Sequence, residues 1–232
     1  MKSIKIAAIV PAAGIGSRMQ AEIPKQYLTI NDKTILEHTL TRLACVSEIE
    51  HICVAISPQD VWFDDIPLDK TKFSMVLGGK ERADTVFNAL TFLKKQEFDW
   101  VLVHDAARPL VSINDIQQLI SHCISHNQGG ILAAKVKDTI KRGEHSIQET
   151  VPRDDLWQAF TPQMFKPDEL YQALLHGLKQ SAIITDEASA MEFSGHNVML
   201  VSGRSDNIKI TTPEDLTLAE FYLTNSNDLE KR

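Results

Sequence analysis

Short apolar, β-branched runs recur along the chain, at Ile4–Val10, Ile52–Ile56, Phe73–Val76, Trp100–Val103, Ile131–Val136, Val198–Val201 and Ile208–Thr211. Each is too short for a helix, and most lack the in–out alternation of a half-exposed strand. They therefore predict strands buried on both faces. Between them, apolar positions fall at helical spacing: Leu36, Leu40 and Leu43; Ala83, Val86, Phe87 and Leu90; Ile116, Leu119, Ile120, Cys123 and Ile124, opening after Asn114 as a cap. Leu170, Ala173, Leu174 and Leu178 follow Pro167, which suits a first helical turn. Thr185–Ser189 caps a short helix, and Thr212-Pro213-Glu214-Asp215 has the form of a capping box opening a last helix through Leu223. This alternation predicts an α/β fold with a mostly parallel central sheet flanked by helices. Such sheets bind ligands beyond the carboxyl ends of their strands, so the loops that follow each strand are where chemistry is expected.

One stretch breaks the rhythm. Lys137–Val151 reads as a polar strand KDTIKR, a turn GEHS and a polar strand IQETV, with few apolar residues. A lone hairpin is marginal in water, so this one is expected to pack on something, a second subunit being one candidate. There is no internal repeat, and Asn225–Arg232 is polar and reads as a frayed end.

The length of 232 residues fits one large α/β domain or one domain with an appendage. The formal net charge of −7 argues against a general nucleic-acid binder, but a local cationic cluster can still serve a small anionic substrate. Cys45, Cys53 and Cys123 form no CxxC pair and cannot all pair with one another, which favours a reducing compartment, the cytoplasm. No apolar run approaches the roughly 18 residues of a membrane span. The run Ile6–Ala13 is broken by Pro11 and leads into Gly14 and Gly16, so it is read as strand and loop rather than as a secretion signal.

The loop Pro11-Ala12-Ala13-Gly14-Ile15-Gly16-Ser17-Arg18 follows the first strand directly. Small residues let backbone amides approach a ligand and cradle phosphate oxygens. The dinucleotide pattern fails because Met19 stands where Gly or Ala is needed, and no Walker pattern occurs. What distinguishes the loop is its cations, Arg18 and, shortly after, Lys25. They suit a polyphosphate whose α-phosphorus is attacked; the competing reading is a Gly-rich turn with two solvated cations. Asp105 and Arg108 follow the strand Trp100–Val103. They would serve Mg²⁺ or a ribose hydroxyl and a phosphate, or simply cap a turn. Gly78-Gly79-Lys80-Glu81-Arg82 enters a helix and either presents backbone to a base and sugar or is an ordinary strand–helix turn. Lys209, between Ile208 and Ile210, either snorkels or faces an anion. His122 and His126 lack a third metal ligand, and neither a GxSxG elbow nor a reactive cysteine is suggested.

In order along the chain, PAAGIGSRM with PKQYL, then GGKERADTV, VHDAARP, KDTIKR, TDEASAMEF and GRSDNIKIT followed by PEDL resemble the 2-C-methyl-D-erythritol 4-phosphate cytidylyltransferases, over about residues 7 to 223. The resemblance implies a Rossmann-like nucleotidyltransferase fold, a single domain over residues 1–232 with 137–157 as a dimerisation arm, and a homodimer. It implies transfer of a cytidylyl group from CTP to 2-C-methyl-D-erythritol 4-phosphate with release of pyrophosphate, in the non-mevalonate isoprenoid pathway, with Mg²⁺ or another divalent cation. Arg18 and Lys25 match the family's transition-state stabilisers. Arg153, Lys209, Asp105, Arg108, Thr139 and Thr185 match the pocket for the methylerythritol phosphate, and Asp105 is also the candidate metal ligand. Pro11, Ala12, Ala13, Gly14, Gly16, Gly79, Lys80, Arg82 and Thr85 match the CTP-binding segments. Because family dimers interlock their arms, Thr139 and Arg153 come within reach of a neighbour's site. Two positions depart from the family pattern: Lys80 stands where an acidic residue is common, and Thr85 where Ser is common. The alternatives are a related cytidylyltransferase acting on another polyol phosphate, such as ribitol 5-phosphate, and a non-catalytic nucleotide-binding regulator. The latter predicts loss of Arg18, Lys25 or Lys209, and all three are present.

Overall fold

The computed structural model describes residues 4–14, 23–69 and 71–225. Its centre is a seven-stranded sheet of β1 (Ile6–Ala12), β4 (Ile49–Ile56), β5 (Phe73–Leu77), β6 (Trp100–Val103), β7 (Gly130–Lys135), β10 (Trp157–Phe165) and β11 (Met199–Ser202), in the order β11-β7-β10-β6-β1-β4-β5. Six of these strands run parallel to one another, and β10 is antiparallel to both of its neighbours. Two short pairs stand apart: β2 (Thr29–Ile30) with β3 (Lys33–Thr34), and β8 (Ile140–Gly143) with β9 (Ile147–Val151).

The period-2 geometry of β1 divides the core. Ile6, Ala8 and Val10 face one side, where they meet Leu36, Leu40 and Leu43 of α1 (Ile35–Ala44) and lie in one cluster with Ile116 and Leu119 of α3 (Ile113–His126). Ala7 and Ile9 face the other, with Val86 and Leu90 of α2 (Arg82–Leu93), Leu170 and Leu174 of α4 (Pro167–Lys179), and Ala188 and Met191 of α5 (Glu187–Phe193). A last helix, α6 (Pro213–Thr224), joins Ile35 and Ile210 in a smaller cluster through Ala219. Every helical stripe expected from the sequence forms. Thr34 and Thr212 close capping boxes with Glu37 and Asp215, and Pro167 opens α4.

Three expectations are corrected. The cap of α3 is Ser112, whose hydroxyl accepts the Asp115 amide at 3.0 Å, and Asn114 lies inside the first turn. Ile208–Thr211 is irregular backbone rather than a strand; the Ile210 amide bonds sideways to the Ala107 carbonyl instead of joining a ladder. The central strand β10 had no place among the sequence runs, because Gln158, Pro162 and Gln163 interrupt its apolar pattern. Its register breaks between Ala159 and Gln163, so Pro162 sits where no ladder donor is needed. The expected hairpin is the β8–β9 pair. Its residues are largely solvent-exposed, with Ile147 at 67%.

Candidate active site

The loops after β1 and β5 meet at close range. A side chain on Gly78 would place its Cβ 2.5 Å from the Ala13 Cβ, and one on Gly79 would come within 2.3 Å of the Asp84 Cβ. No other residue fits there without moving backbone. The Gly79 amide donates to Thr85 Oγ1 at 3.0 Å, and that hydroxyl donates to the Glu81 carbonyl at 3.0 Å. Thr85 therefore shapes the loop through its hydroxyl.

Between these loops and the end of β6 lies a cavity of about 240 Å³. Pro11, Ala12, Ala13, Gly14, Lys25, Gly79, Lys80, Arg82, Thr85, Asp105 and Lys209 all line it. The N-terminal end of α2 forms part of its wall, an arrangement that suits anions. Lys25 sits in a single 3-10 turn, Lys25–Tyr27, tied down on both sides. Gln26 Nε2 donates to the Ala12 carbonyl at 2.7 Å, and the Tyr27 hydroxyl donates to Asp60 at 2.6 Å. Lys25 Nζ donates to the Ile210 carbonyl at 2.9 Å.

A second cavity of about 180 Å³ adjoins the first, lined by Arg108, Thr161, Gln163 and Thr185, among others. The two share Arg82, Asp105 and Lys209. Asp105 is the centre of this common wall. Its Oδ1 accepts Arg82 Nε at 2.9 Å, and its Oδ2 lies 2.8 Å from Lys209 Nζ and 3.6 Å from Arg108 Nε. Burial alone would raise its carboxyl, but Arg82 and Lys209, with Arg108, outweigh burial and hold it well below the usual carboxylate range. Arg82 is gripped from its other side by Glu187, which accepts NH1 at 2.7 Å and NH2 at 3.0 Å and is 1% exposed. Burial opposes the charge on Arg82, yet Glu187 and Asp105 raise its pKa above the ordinary arginine value. Arg82 opens α2, where a cation is unfavourable, and the two carboxylates offset this.

The residues expected on both sides of the reaction thus come together, with exceptions. Arg18 and Gly16 lie outside the described residues. Thr139 and Arg153 are exposed on the arm segment and line neither cavity. Asp105 fits a divalent cation poorly, since both its oxygens are already engaged by cations. No group of three or more His, Cys, Asp or Glu that could hold a metal ion occurs among the described residues. His122 and His126 stack on each other, ring centres 5.9 Å apart, on the exposed side of α3.

Four polar residues of the site had not been anticipated: Glu187, Thr161, Gln163 and Asn207. Glu187 lies in the TDEASAMEF motif, but a Glu in a first helical turn ordinarily faces water, so nothing local signals its burial. Thr161 and Gln163 lie in the unrecognised strand. Gln163 Nε2 donates to Asp186 at 2.8 Å and its Oε1 accepts the Ala188 amide at 2.9 Å, which docks the start of α5 against β10.

Comparison with known proteins bears on what this arrangement serves. A family model described as IspD, 2-C-methyl-D-erythritol 4-phosphate cytidylyltransferase, matches residues 6–225. A protein of that name from Pseudoalteromonas translucida (strain TAC 125) is 59% identical over 218 residues, spanning 94% of this chain and 90% of the relative. Another, from Vibrio cholerae serotype O1, is 53% identical over 225 residues, spanning 95% and 97%. The crystal structure of the Francisella tularensis 2-C-methyl-D-erythritol 4-phosphate cytidylyltransferase superposes with a TM-score of 0.82 at 38% identity, covering 94% of this chain and 99% of that one. A 4-diphosphocytidyl-2C-methyl-D-erythritol synthase superposes with a TM-score of 0.83 at 37% identity, covering 96% and 99%.

Proposed function

Because the chain belongs to the 2-C-methyl-D-erythritol 4-phosphate cytidylyltransferase family, we propose that it transfers the cytidylyl group of CTP to 2-C-methyl-D-erythritol 4-phosphate in the non-mevalonate isoprenoid pathway. The products are 4-diphosphocytidyl-2-C-methyl-D-erythritol and pyrophosphate. The observation that carries this reading is the pair of adjoining cavities with a common wall of Arg82, Asp105 and Lys209. Two phosphates repel each other, so bringing them together requires fixed positive charge between them. In this reading the cavity against Pro11–Gly14 and Gly79 takes CTP, and the second takes the acceptor, its phosphate beside Arg108 and Lys209.

An oxygen of the acceptor phosphate attacks the α-phosphorus of CTP. A new P–O bond forms as the bond from the α-phosphorus to the bridging oxygen breaks, and pyrophosphate leaves with the electron pair. The attacking phosphate is already ionised at neutral pH and needs no side-chain base. Lys25 and Arg18 stabilise the charge that gathers on the α-phosphate oxygens. A divalent cation belongs with the nucleotide, since Mg²⁺ favours phosphate oxygens and water as ligands and Asp105 is already engaged.

Residues 1–232 act as one domain, with 137–157 as the arm that joins a homodimer. The exposure of the arm and its scarcity of apolar residues support a role as a contact rather than as a free-standing unit. Thr139 and Arg153 then complete a neighbour's acceptor pocket. The free cysteines, and the lack of any helix long and apolar enough to cross a membrane among the described residues, support a cytoplasmic enzyme.

Purified protein given CTP, Mg²⁺ and 2-C-methyl-D-erythritol 4-phosphate should release pyrophosphate. Release only with another polyol phosphate, such as ribitol 5-phosphate, overturns the substrate; release with none overturns the reading.

A further inference from the structure

Beneath the second cavity, His104, Arg108, Asn207 and Thr161 close a ring of hydrogen bonds. Thr161 Oγ1 accepts the Asp105 amide at 3.0 Å and lies 3.0 Å from His104 Nδ1. The Arg108 carbonyl, 3.0 Å from His104 Nε2, can only accept, so the single proton of the neutral imidazole sits on Nε2. Nδ1 is then the acceptor and takes the Thr161 hydroxyl hydrogen. The Arg108 guanidinium in turn donates to the Asn207 carbonyl at 2.6 Å, and the Asn207 side chain donates to the Thr161 carbonyl at 2.8 Å, closing the ring.

The ring joins three separate segments: the loop after β6, the irregular part of β10, and the stretch before α6. Three of its four members are out of water, with His104 0%, Asn207 1% and Thr161 4% exposed, while Arg108 reaches the second cavity. Burial pushes the His104 pKa down to about 4, consistent with the neutral tautomer. Arg108 is held at both ends, its carbonyl by His104 and its guanidinium by the Asn207 backbone. Arg108 lines the second cavity and not the first, and neither His104 nor Asn207 lines the first.

We propose that His104 and Asn207 are positioning residues for the acceptor pocket, acting through this ring to hold Arg108 in place, and that they take no part in binding the nucleotide. The proposal rests on the assignment of the second cavity to the acceptor phosphate.

The test is steady-state pyrophosphate release with each substrate varied in turn. His104→Leu removes both bonds of the imidazole while keeping an apolar side chain. It should raise the KM for the acceptor about tenfold and leave the KM for CTP within about twofold. His104→Gln, whose amide can still reach the Arg108 carbonyl, should restore most of the loss. Asn207→Ala tests the opposite side of the ring, should show the same split, and carries the test if His104→Leu does not fold. Arg108→Gln checks the cavity assignment: an unchanged acceptor KM in that variant refutes the assignment itself. If Arg108→Gln raises the acceptor KM while His104→Leu and Asn207→Ala either do not, or raise both KM values alike, the proposal is overturned.

Discussion

Asp105 faces three cations, and its neighbour Arg82 faces two carboxylates, so no charge in the common wall stands alone. Removing one member leaves another uncompensated, which costs more than the pair contributes when intact. Glu187→Gln takes the bidentate partner from Arg82, whose side chain is 26% exposed. We expect a loss of about 3 kcal/mol, at the lower end for a broken buried pair because water reaches part of the guanidinium. That should lower the melting temperature by roughly 6–12 °C for a chain of this size, readable by calorimetry. Lys25 acts at the wall of the first cavity, where its amine donates to the Ile210 carbonyl. Lys25→Ala should lower kcat by about 10²-fold or more, the usual cost of losing one preorganised charge at a transition state. An unchanged kcat would remove Lys25 from the mechanism.

Among the elements, the arm is where local sequence and solitary fold disagree. β8 and β9 hold together through their ladder, with an Arg142–Glu149 pair at 3.2 Å on a surface largely open to water. Arg153→Ala should raise the KM for the methylerythritol phosphate and spare that for CTP; an effect confined to CTP would rule out its assigned role. The helices and the first parallel strands were legible because their cues are local: apolar spacing, Pro167 at a first turn, Thr212 with Asp215 as a box. The site residues on glycine-bearing loops were legible for the same reason, as small residues and cations close together in sequence. β10 was hidden because Gln158 and Pro162 break its apolar pattern and the buried Gln163 is satisfied by distant partners, Asp186 and the amide of Ala188. Ile208–Thr211 misled for the opposite reason. Its apolar residues satisfy a strand pattern, but its backbone at Ile210 instead serves Lys25 and Ala107.

At the scale of the whole molecule, the acidic surplus of −7 surrounds a local positive set at one end of the sheet. The same burial that keeps His104 neutral makes stability depend on pH. Unfolded, the ring takes up a proton near pH 6.5, whereas folded it resists down to about 4. The unfolded state binds more protons in that window, so stability is full above about pH 6.5 and falls as pH drops towards 4, by roughly 3 kcal/mol. Below about pH 4 the depressed Asp105 carboxyl adds a second decline, because unfolded Asp105 protonates first. Urea titrations at stepped pH should resolve the two stages, and His104→Gln should shrink the first, to which half-buried His51 also contributes, and leave the second.

The common wall also governs how the reaction ends. With the cavities assigned as proposed, the joined product carries the remnants of both substrates in one molecule and should engage both cavities as a tethered pair, each half raising the effective concentration of the other. Pyrophosphate has no such tether and should depart first. Rapid mixing should therefore reveal a burst of pyrophosphate equal to the enzyme present, followed by slower turnover at the pace at which the joined product escapes.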